Sequence, residues 1–263
     1  MGALPGTLPA MVSVLITGSS DGIGRETAAT LVDQGHRVVL HARDAGRAEQ
    51  ALAAVPGAAG VVVGDLSSLD RTRELAAAAG AFDVVVHNAG LGGGLPERVV
   101  TEDGLELLFQ VNVLAPYLLT ALMPRPSRLV YLTSGLEAQG VLDLDDLQHE
   151  RGPWDGMQAY SDSKLLDVVL AFAVARRWPD TLSNAVDPGW IKTKLGGPNA
   201  TDELPRGADT QVWLATSDEP AARVTGRYFK WREDLRANPA AYDVAAQDRL
   251  LAVCAELTGV ALP

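Results

Sequence analysis

The strongest constraint on this chain is an alternation. Short apolar runs rich in β-branched residues are separated by longer Ala- and Leu-rich stretches. Runs at 12–17, 37–41, 61–63, 83–87, 128–133, 181–186 and 227–229 read as strands. The stretches near 23–34, 45–54, 68–79, 102–122, 158–177, 206–216 and 240–257 carry the spacing of helices. Strands separated by helix-length segments form βαβ units, and consecutive βαβ units build a parallel sheet. The strands are almost continuously apolar, as required when helices cover both faces.

No linker, repeat or low-complexity block divides the sequence, so residues 11–263 read as one domain. Residues 1–10 read as an N-terminal extension, ordered or disordered, with Met11 as an alternative start. The extension lacks the basic start and long apolar core of a secretory signal, and Cys254 is the single cysteine. Both features point to a cytoplasmic protein without disulfides. No apolar run reaches the length of a membrane span. The net charge of −11 disfavours nucleic acid as a partner. Small anions can still bind, because the backbone amides at a helix start are locally positive.

The first strand runs into Thr17-Gly18-Ser19-Ser20-Asp21-Gly22-Ile23-Gly24, and a helix follows at once. A glycine turn between strand and helix lets a pyrophosphate approach the backbone at the positive helix end. The spacing is G-x-x-x-G-x-G, and the rest of the chain adds motifs in order. Asn88-Ala89-Gly90 closes the fourth strand, Asn112 sits in Phe109–Leu114, and Ser134 ends the fifth strand. Tyr160 and Lys164 form Y-x-x-x-K, and Pro188-Gly189 follows the sixth strand ahead of Ile191 and Thr193.

With these motifs the chain resembles the short-chain dehydrogenase/reductase family over about Met11 to Val260, most closely its retinol-dehydrogenase-like branch. The resemblance implies an α/β fold, a single-domain Rossmann-like doubly wound parallel sheet of about seven strands. It implies an oxidoreductase interconverting a carbonyl and an alcohol, with Asn112, Ser134, Tyr160 and Lys164 as the catalytic set. By the same resemblance Ser134 bonds the substrate oxygen, Lys164 also holds the nicotinamide ribose, and Asn112 anchors a water. The cofactor-binding set it implies is Gly18, Ser20, Asp21, Gly22, Ile23, Gly24, Arg43, Asp65, Leu66, Asn88, Ala89, Gly90, Tyr160, Lys164, Pro188, Gly189, Ile191 and Thr193.

Physical chemistry agrees with the central pair. A free phenol holds its proton to about pH 10, and a cation placed beside it favours the phenolate. A lysine four residues along a helix lies one turn away on the same face. At the end of the second strand, Ala42 stands where a family member that prefers NAD(H) carries an acid, and Arg43 follows, suited to a 2′-phosphate. NADP(H) is therefore expected over NAD(H), with Asp44 as the residue that could oppose it.

Thr133 rivals Ser134 as the substrate-facing hydroxyl, and Asn112 could instead cap a kink in a long helix. His36, His41, His87 and His149 lack metal-ligand spacing and read as structural, so no metal is expected. Leu91, Leu136, Trp154, Met157, Trp190 and Leu195 make three loops unusually apolar, which favours a lipophilic carbonyl or alcohol as the small-molecule substrate. The stripe Leu165, Leu166, Val168, Val169, Leu170, Phe172 is wider than one buried face needs; it is either core or a seam to a second copy in a homo-oligomer. A catalytically silent NADP(H)-binding sensor is the alternative class, and the retained Ser134, Tyr160 and Lys164 weigh against it.

Overall fold

In the computed structural model, which describes residues 11–263, each β-branched run becomes a strand of one sheet. The strands are β1 Ser13–Ile16, β2 Arg37–Ala42, β3 Gly60–Val63, β4 Val84–His87, β5 Arg128–Leu132, β6 Leu182–Asp187, β7 Tyr228–Lys230 and β8 Glu233–Leu235. Their order is β3-β2-β1-β4-β5-β6-β7-β8. All pairings are parallel except β7 with β8, an antiparallel hairpin. The fold is thus the expected single-domain α/β Rossmann-like sheet, with one strand more than about seven. The additional strand, Glu233-Asp234-Leu235, is exposed along its length and holds a single apolar residue, so no apolar alternation announced it. The expectation for residues 1–10 falls outside the described residues.

Strand periodicity sorts side chains into two layers. Val14 and Ile16 join Val84, Val86, Val130 and Val186 in one layer, beneath Leu31, Val212 and Leu214. Leu15, Val85, Leu129 and Ala185 point the other way, into a larger layer with Leu114, Leu118, Leu165 and Val169. The first layer is covered by α1 Gly22–Asp33 and α7 Leu204–Thr216. The second lies under α3 Leu69–Ala79, α5 Ala115–Leu122, α6 Gly156–Arg177 and α8 Val244–Thr258. Helix α2, Ala45–Ala54, runs between β2 and β3.

Side chains start most helices where the chain must turn. Asp21, Asp44, Ser68, Asp155 and Asp243 each accept an amide at their helix's start, worth about 1 kcal/mol apiece. The helix expected over 102–122 begins later, with α4 at Leu107–Phe109. Glu106 stops it short, because its carboxylate caps the amides of Leu108 and Phe109. A π-helical turn, Gln110–Leu114, joins α4 to α5.

The apolar stripe of α6 is consumed inside the chain: Leu165, Val168, Val169 and Leu170 are fully buried, with Leu166 and Phe172 nearly so. Leu250, Leu251 and Cys254 of α8 belong to the same core layer. The width of the stripe is met by the chain's own terminal helix. Strand order reverses between β1 and β4, so the ligand crevice of this architecture lies beyond the carboxyl ends of those two strands.

Candidate active site

At that crevice the turn after β1 is locked to the turn after β4. Buried Thr17 accepts the amides of Asn88 and Ala89 on its hydroxyl, each at 3.0 Å. Asn88 returns two bonds from Nδ2, to the carbonyls of Thr17 (2.9 Å) and Gly18 (3.2 Å). Such close approach dictates glycine: Gly18 has φ +63°, and a Cβ there would lie 2.8 Å from the Ala89 Cα. At Gly24 a Cβ would lie 2.4 Å from Asn88 Nδ2, so helix α1 could not seat.

His41 completes the support. Its Nδ1 accepts the Gly18 amide at 2.9 Å, which leaves Nε2 to donate to the Gly64 carbonyl at 2.8 Å. Both partners fix one neutral tautomer, and burial lowers the His41 pKa in the same sense. Neither Thr17 nor His41 carried a sequence signal for this role, because their partners lie far along the chain.

The second half of the site is built on α6. Asp155 caps its first turn through the amides of Met157 and Gln158. Tyr160 and Lys164 then share one face, with Lys164 Nζ 5.9 Å from the Tyr160 ring centroid, and both are buried. Thr133 and Ser134 separate cleanly. The buried Thr133 hydroxyl donates to the Lys164 carbonyl at 2.6 Å and so is committed to holding α6 against β5. Ser134, half-buried one residue on, accepts only a long 3.3 Å bond from the Leu136 amide among the described residues.

Lys164 donates to the Leu132 carbonyl at 3.0 Å and to Asp167 Oδ2 at 2.8 Å. A Cβ on Gly90 would sit 3.3 Å from both Lys164 Nζ and Asn112 Oδ1. The missing side chain therefore lets the loop after β4 close onto the ammonium. Asn112 lies in the π turn, where its Oδ1 accepts the Leu91 amide at 2.8 Å. Its Nδ2 donates to the Leu91 carbonyl at 3.1 Å and to Ser163 Oγ at 2.9 Å. The residue is both a kink element and a clamp on the loop after β4.

Burial pushes the Lys164 pKa down, but Asp167 and Tyr160 outweigh it and hold the ammonium above the ordinary lysine value. Burial also raises Asp167, to about 6, against the pull of Lys164. Asp167 is the residue of this cluster that sequence reasoning missed. Its position three residues after Lys164 on a helix was the available signal.

The remaining expected residues are placed as follows. Ser20, Asp21, Gly22 and Ile23 are half-buried at the start of α1, and Asp21 Oδ2 pairs with Lys194 at 2.5 Å. Gly22 faces Thr193: a Cβ on it would lie 3.3 Å from that methyl group. Pro188 and Ile191 are buried, and the Gly189 amide is held by Asp187 at 2.9 Å. Arg43 is 62% exposed. Asp44 Oδ1 caps the Arg47 amide at 2.8 Å. Asp65 bends its own turn by accepting from the amide and hydroxyl of Ser67, and Leu66 points into the core.

The apolar loops also converge. Leu91, Leu95, Leu136 and Trp154 pack with Leu108, Ala159 and Tyr160, and a Cβ on Gly93 would lie 2.8 Å from the Tyr160 Cβ. Leu195 covers Gly92, while Met157 and Trp190 stay half-exposed at the rim. A cavity of about 310 Å³ lies elsewhere, between α6 and the 141–155 segment; Glu106, Asp143, Asp146, His149 and Asp162 line it, and Ser134, Tyr160 and Lys164 do not. No helix among the described residues is long and apolar enough to cross a membrane.

A Rossmann-like sheet with this crevice and this serine, tyrosine and lysine defines a class, and comparison with known proteins gives the family. The short chain dehydrogenase profile matches residues 12–130. An uncharacterized oxidoreductase of Emericella nidulans is 42% identical over 96% of this chain and 99% of its own. Retinol dehydrogenase 14 of Homo sapiens is 32% identical over 94% of this chain and 86% of its own. A crystal structure of an uncharacterized Mycobacterium paratuberculosis protein superposes with a TM-score of 0.85, at 28% identity and 97% coverage of both chains. That of BdcA in complex with NADPH gives 0.66, at 26% identity over 85% of this chain and 93% of the other.

The chain belongs to the short-chain dehydrogenase/reductase family, near its retinol-dehydrogenase-like branch. It is an oxidoreductase of the carbonyl/alcohol type that uses a nicotinamide cofactor.

Proposed function

We propose that the chain reduces lipophilic carbonyls, and oxidises the matching alcohols, with NADP(H), Tyr160 exchanging the proton at the reacting oxygen. The observation that carries this reading is the buried Lys164 ammonium beside Tyr160, 5.9 Å from its ring centroid. The ammonium offers donors that the hydroxyls of a ribose would accept. The first amides of α1 lack partners within the helix and suit a diphosphate. Gly18, Ser20, Asp21, Gly22, Ile23 and Gly24 would hold that part. Asn88, Ala89, Gly90, Pro188, Gly189, Ile191 and Thr193 would flank the nicotinamide half, and Asp65 and Leu66 the adenine.

The bound nicotinamide supplies or accepts the hydride. The chain's own groups do the rest. Ser134, with its hydroxyl proton uncommitted, steadies the reacting oxygen. Tyr160 gives that oxygen its proton, and the Lys164 charge favours the phenolate left behind. Asn112 holds Leu91 and would anchor a water on the side of Lys164 away from the substrate.

Arg43 supports the NADP(H) preference. Asp44, the residue that could have opposed it, is committed to capping α2 and pairs with Arg43 and Arg47 at 3.4 and 3.9 Å. The apolar cluster on Tyr160 supports a lipophilic substrate.

The test is Tyr160→Phe, with NADPH binding and turnover measured side by side against a panel of aldehydes, ketones and quinones. Binding should survive while turnover falls about 10²–10⁴-fold. Near-normal turnover in the variant overturns the assignment. NADPH binding by the unaltered protein with no turnover across the panel makes the chain a cofactor-binding regulator instead.

A further inference from the structure

Lys164 is a lysine in an unusual place. Its side chain is 6% exposed, and its Nζ lies against the Leu132 carbonyl and the face of Gly90. A buried ammonium without a counter-ion loses its proton readily, since desolvation penalises the charged form. The charge must therefore be held by something within the fold.

We infer that Asp167 is the positioning residue of this site: a buried counter-ion, one turn further along α6, that keeps Lys164 protonated and its ammonium turned toward Gly90. Lys164 Nζ donates one hydrogen bond to Asp167 Oδ2 at 2.8 Å and a second to the Leu132 carbonyl at 3.0 Å. Two fixed acceptors leave the third donor for the side of Gly90. Asp167 is itself 4% exposed, so the pair is shielded from salt and solvent.

Every other titratable group around the pair is a poor substitute. On α6 the neighbour is Tyr160, a phenol. From β5 comes Tyr131, whose hydroxyl meets Thr120 at 2.9 Å; burial raises its pKa above the ordinary phenol value, and Asp167 adds to this. From β4 comes His87, stacked on Tyr131 at 4.7 Å and kept neutral by burial down to about pH 3. The π turn contributes the uncharged Asn112, spent on Leu91 and Ser163. From β6, Asp187 is spent on Lys230, at 2.8 Å, and on the Gly189 amide.

The inference rests on the proposed role of Lys164 in holding the cofactor ribose, and its test keeps the two apart. NADPH dissociation constants are measured by fluorescence from pH 6 to 9 for the unaltered protein, Asp167→Asn, Asp167→Ser, Lys164→Met, and the Lys164→Met/Asp167→Asn double variant. The unaltered protein should hold its affinity across the range, because its lysine stays charged. Asp167→Asn should bind nearly as well at pH 6 and lose about tenfold or more by pH 9, as the unsupported ammonium deprotonates. Asp167→Ser, which removes the charge and leaves room for water, should show the same slope. The slope should vanish in the double variant.

A purely structural Asp167 would weaken binding equally at every pH, and parallel curves for both Asp167 variants overturn the inference. If Lys164→Met binds NADPH as well as the unaltered protein, it is the ribose-holding role of Lys164 that fails.

Discussion

Adjacent hydroxyls at the end of β5 offer a sharp test of the site, because the structure commits Thr133 to α6 and the proposed reaction uses Ser134. Thr133→Val replaces a buried hydroxyl with a methyl group of similar size. It removes the 2.6 Å bond to the Lys164 carbonyl, which keeps its own helical partner one turn on. The loss is that of one buried hydrogen bond, about 1 kcal/mol, or roughly 2–4 °C in Tm for a chain of this size. Turnover should stay within about threefold, since Lys164 keeps both acceptors on its Nζ.

Ser134→Ala should do the reverse. The fold loses one long 3.3 Å bond to the Leu136 amide, so Tm should move by less than about 2 °C. Turnover should fall about 10²–10³-fold, the usual loss when one donor to a developing oxyanion is removed. Thermal melts and NADPH oxidation on the same preparations give both numbers. If Thr133→Val costs as much turnover as Ser134→Ala, or Ser134→Ala leaves turnover intact, the division of labour is wrong.

Arg43→Ala should cost about tenfold or more in NADPH affinity and little in NADH affinity, since charge-assisted bonds to phosphate contribute about 1.5–3 kcal/mol. Asp44→Ala should lower stability through the lost α2 cap and leave the NADPH preference standing; thermal melts and equilibrium binding of both cofactors to both variants decide. His87 predicts an acid limb in stability. Its folded pKa, about 3, lies below the unfolded value of 6.5, so its contribution is whole above 6.5 and is lost as pH falls toward 3, by about 1.4 kcal/mol per pH unit. Tm of the unaltered protein should therefore drop more steeply between pH 6.5 and 4.5 than Tm of His87→Phe, and parallel pH profiles would exclude the buried neutral imidazole.

The parts of this molecule that could be read in advance are those written in local periodicity. β-branched runs flanked by helical spacing gave the parallel strands in order, whereas the sorting of Val14, Leu15 and Ile16 into two layers came from the structure. Glycine at 18 and 24 was legible because the strand-turn-helix context demands close backbone approach. The exposed β8 was not, since Glu233 and Asp234 bury nothing and owe their pairing to Phe229 and Lys230 alone. Nor was the late start of the helix after residue 102, which depends on one carboxylate, Glu106, bending back onto the amides that follow it.

The site divides along the same line. Tyr160 and Lys164 declared themselves through helical spacing, whereas the choice between Thr133 and Ser134 needed the direction of each hydroxyl. That direction follows from strand geometry: adjacent residues face opposite sides, so when Thr133 reaches α6 its neighbour turns away. His41 supports Gly18 across 23 residues of sequence, and no local pattern could announce it. Asp167 is the instructive case, because its spacing from Lys164 was as legible as that of Tyr160. An acid amid the leucines and valines of a core helix is costly to bury without a partner, and Lys164, itself buried one turn away, is a lysine with the same need. Each charge accounts for the other, and the proposed function uses the cation of the pair.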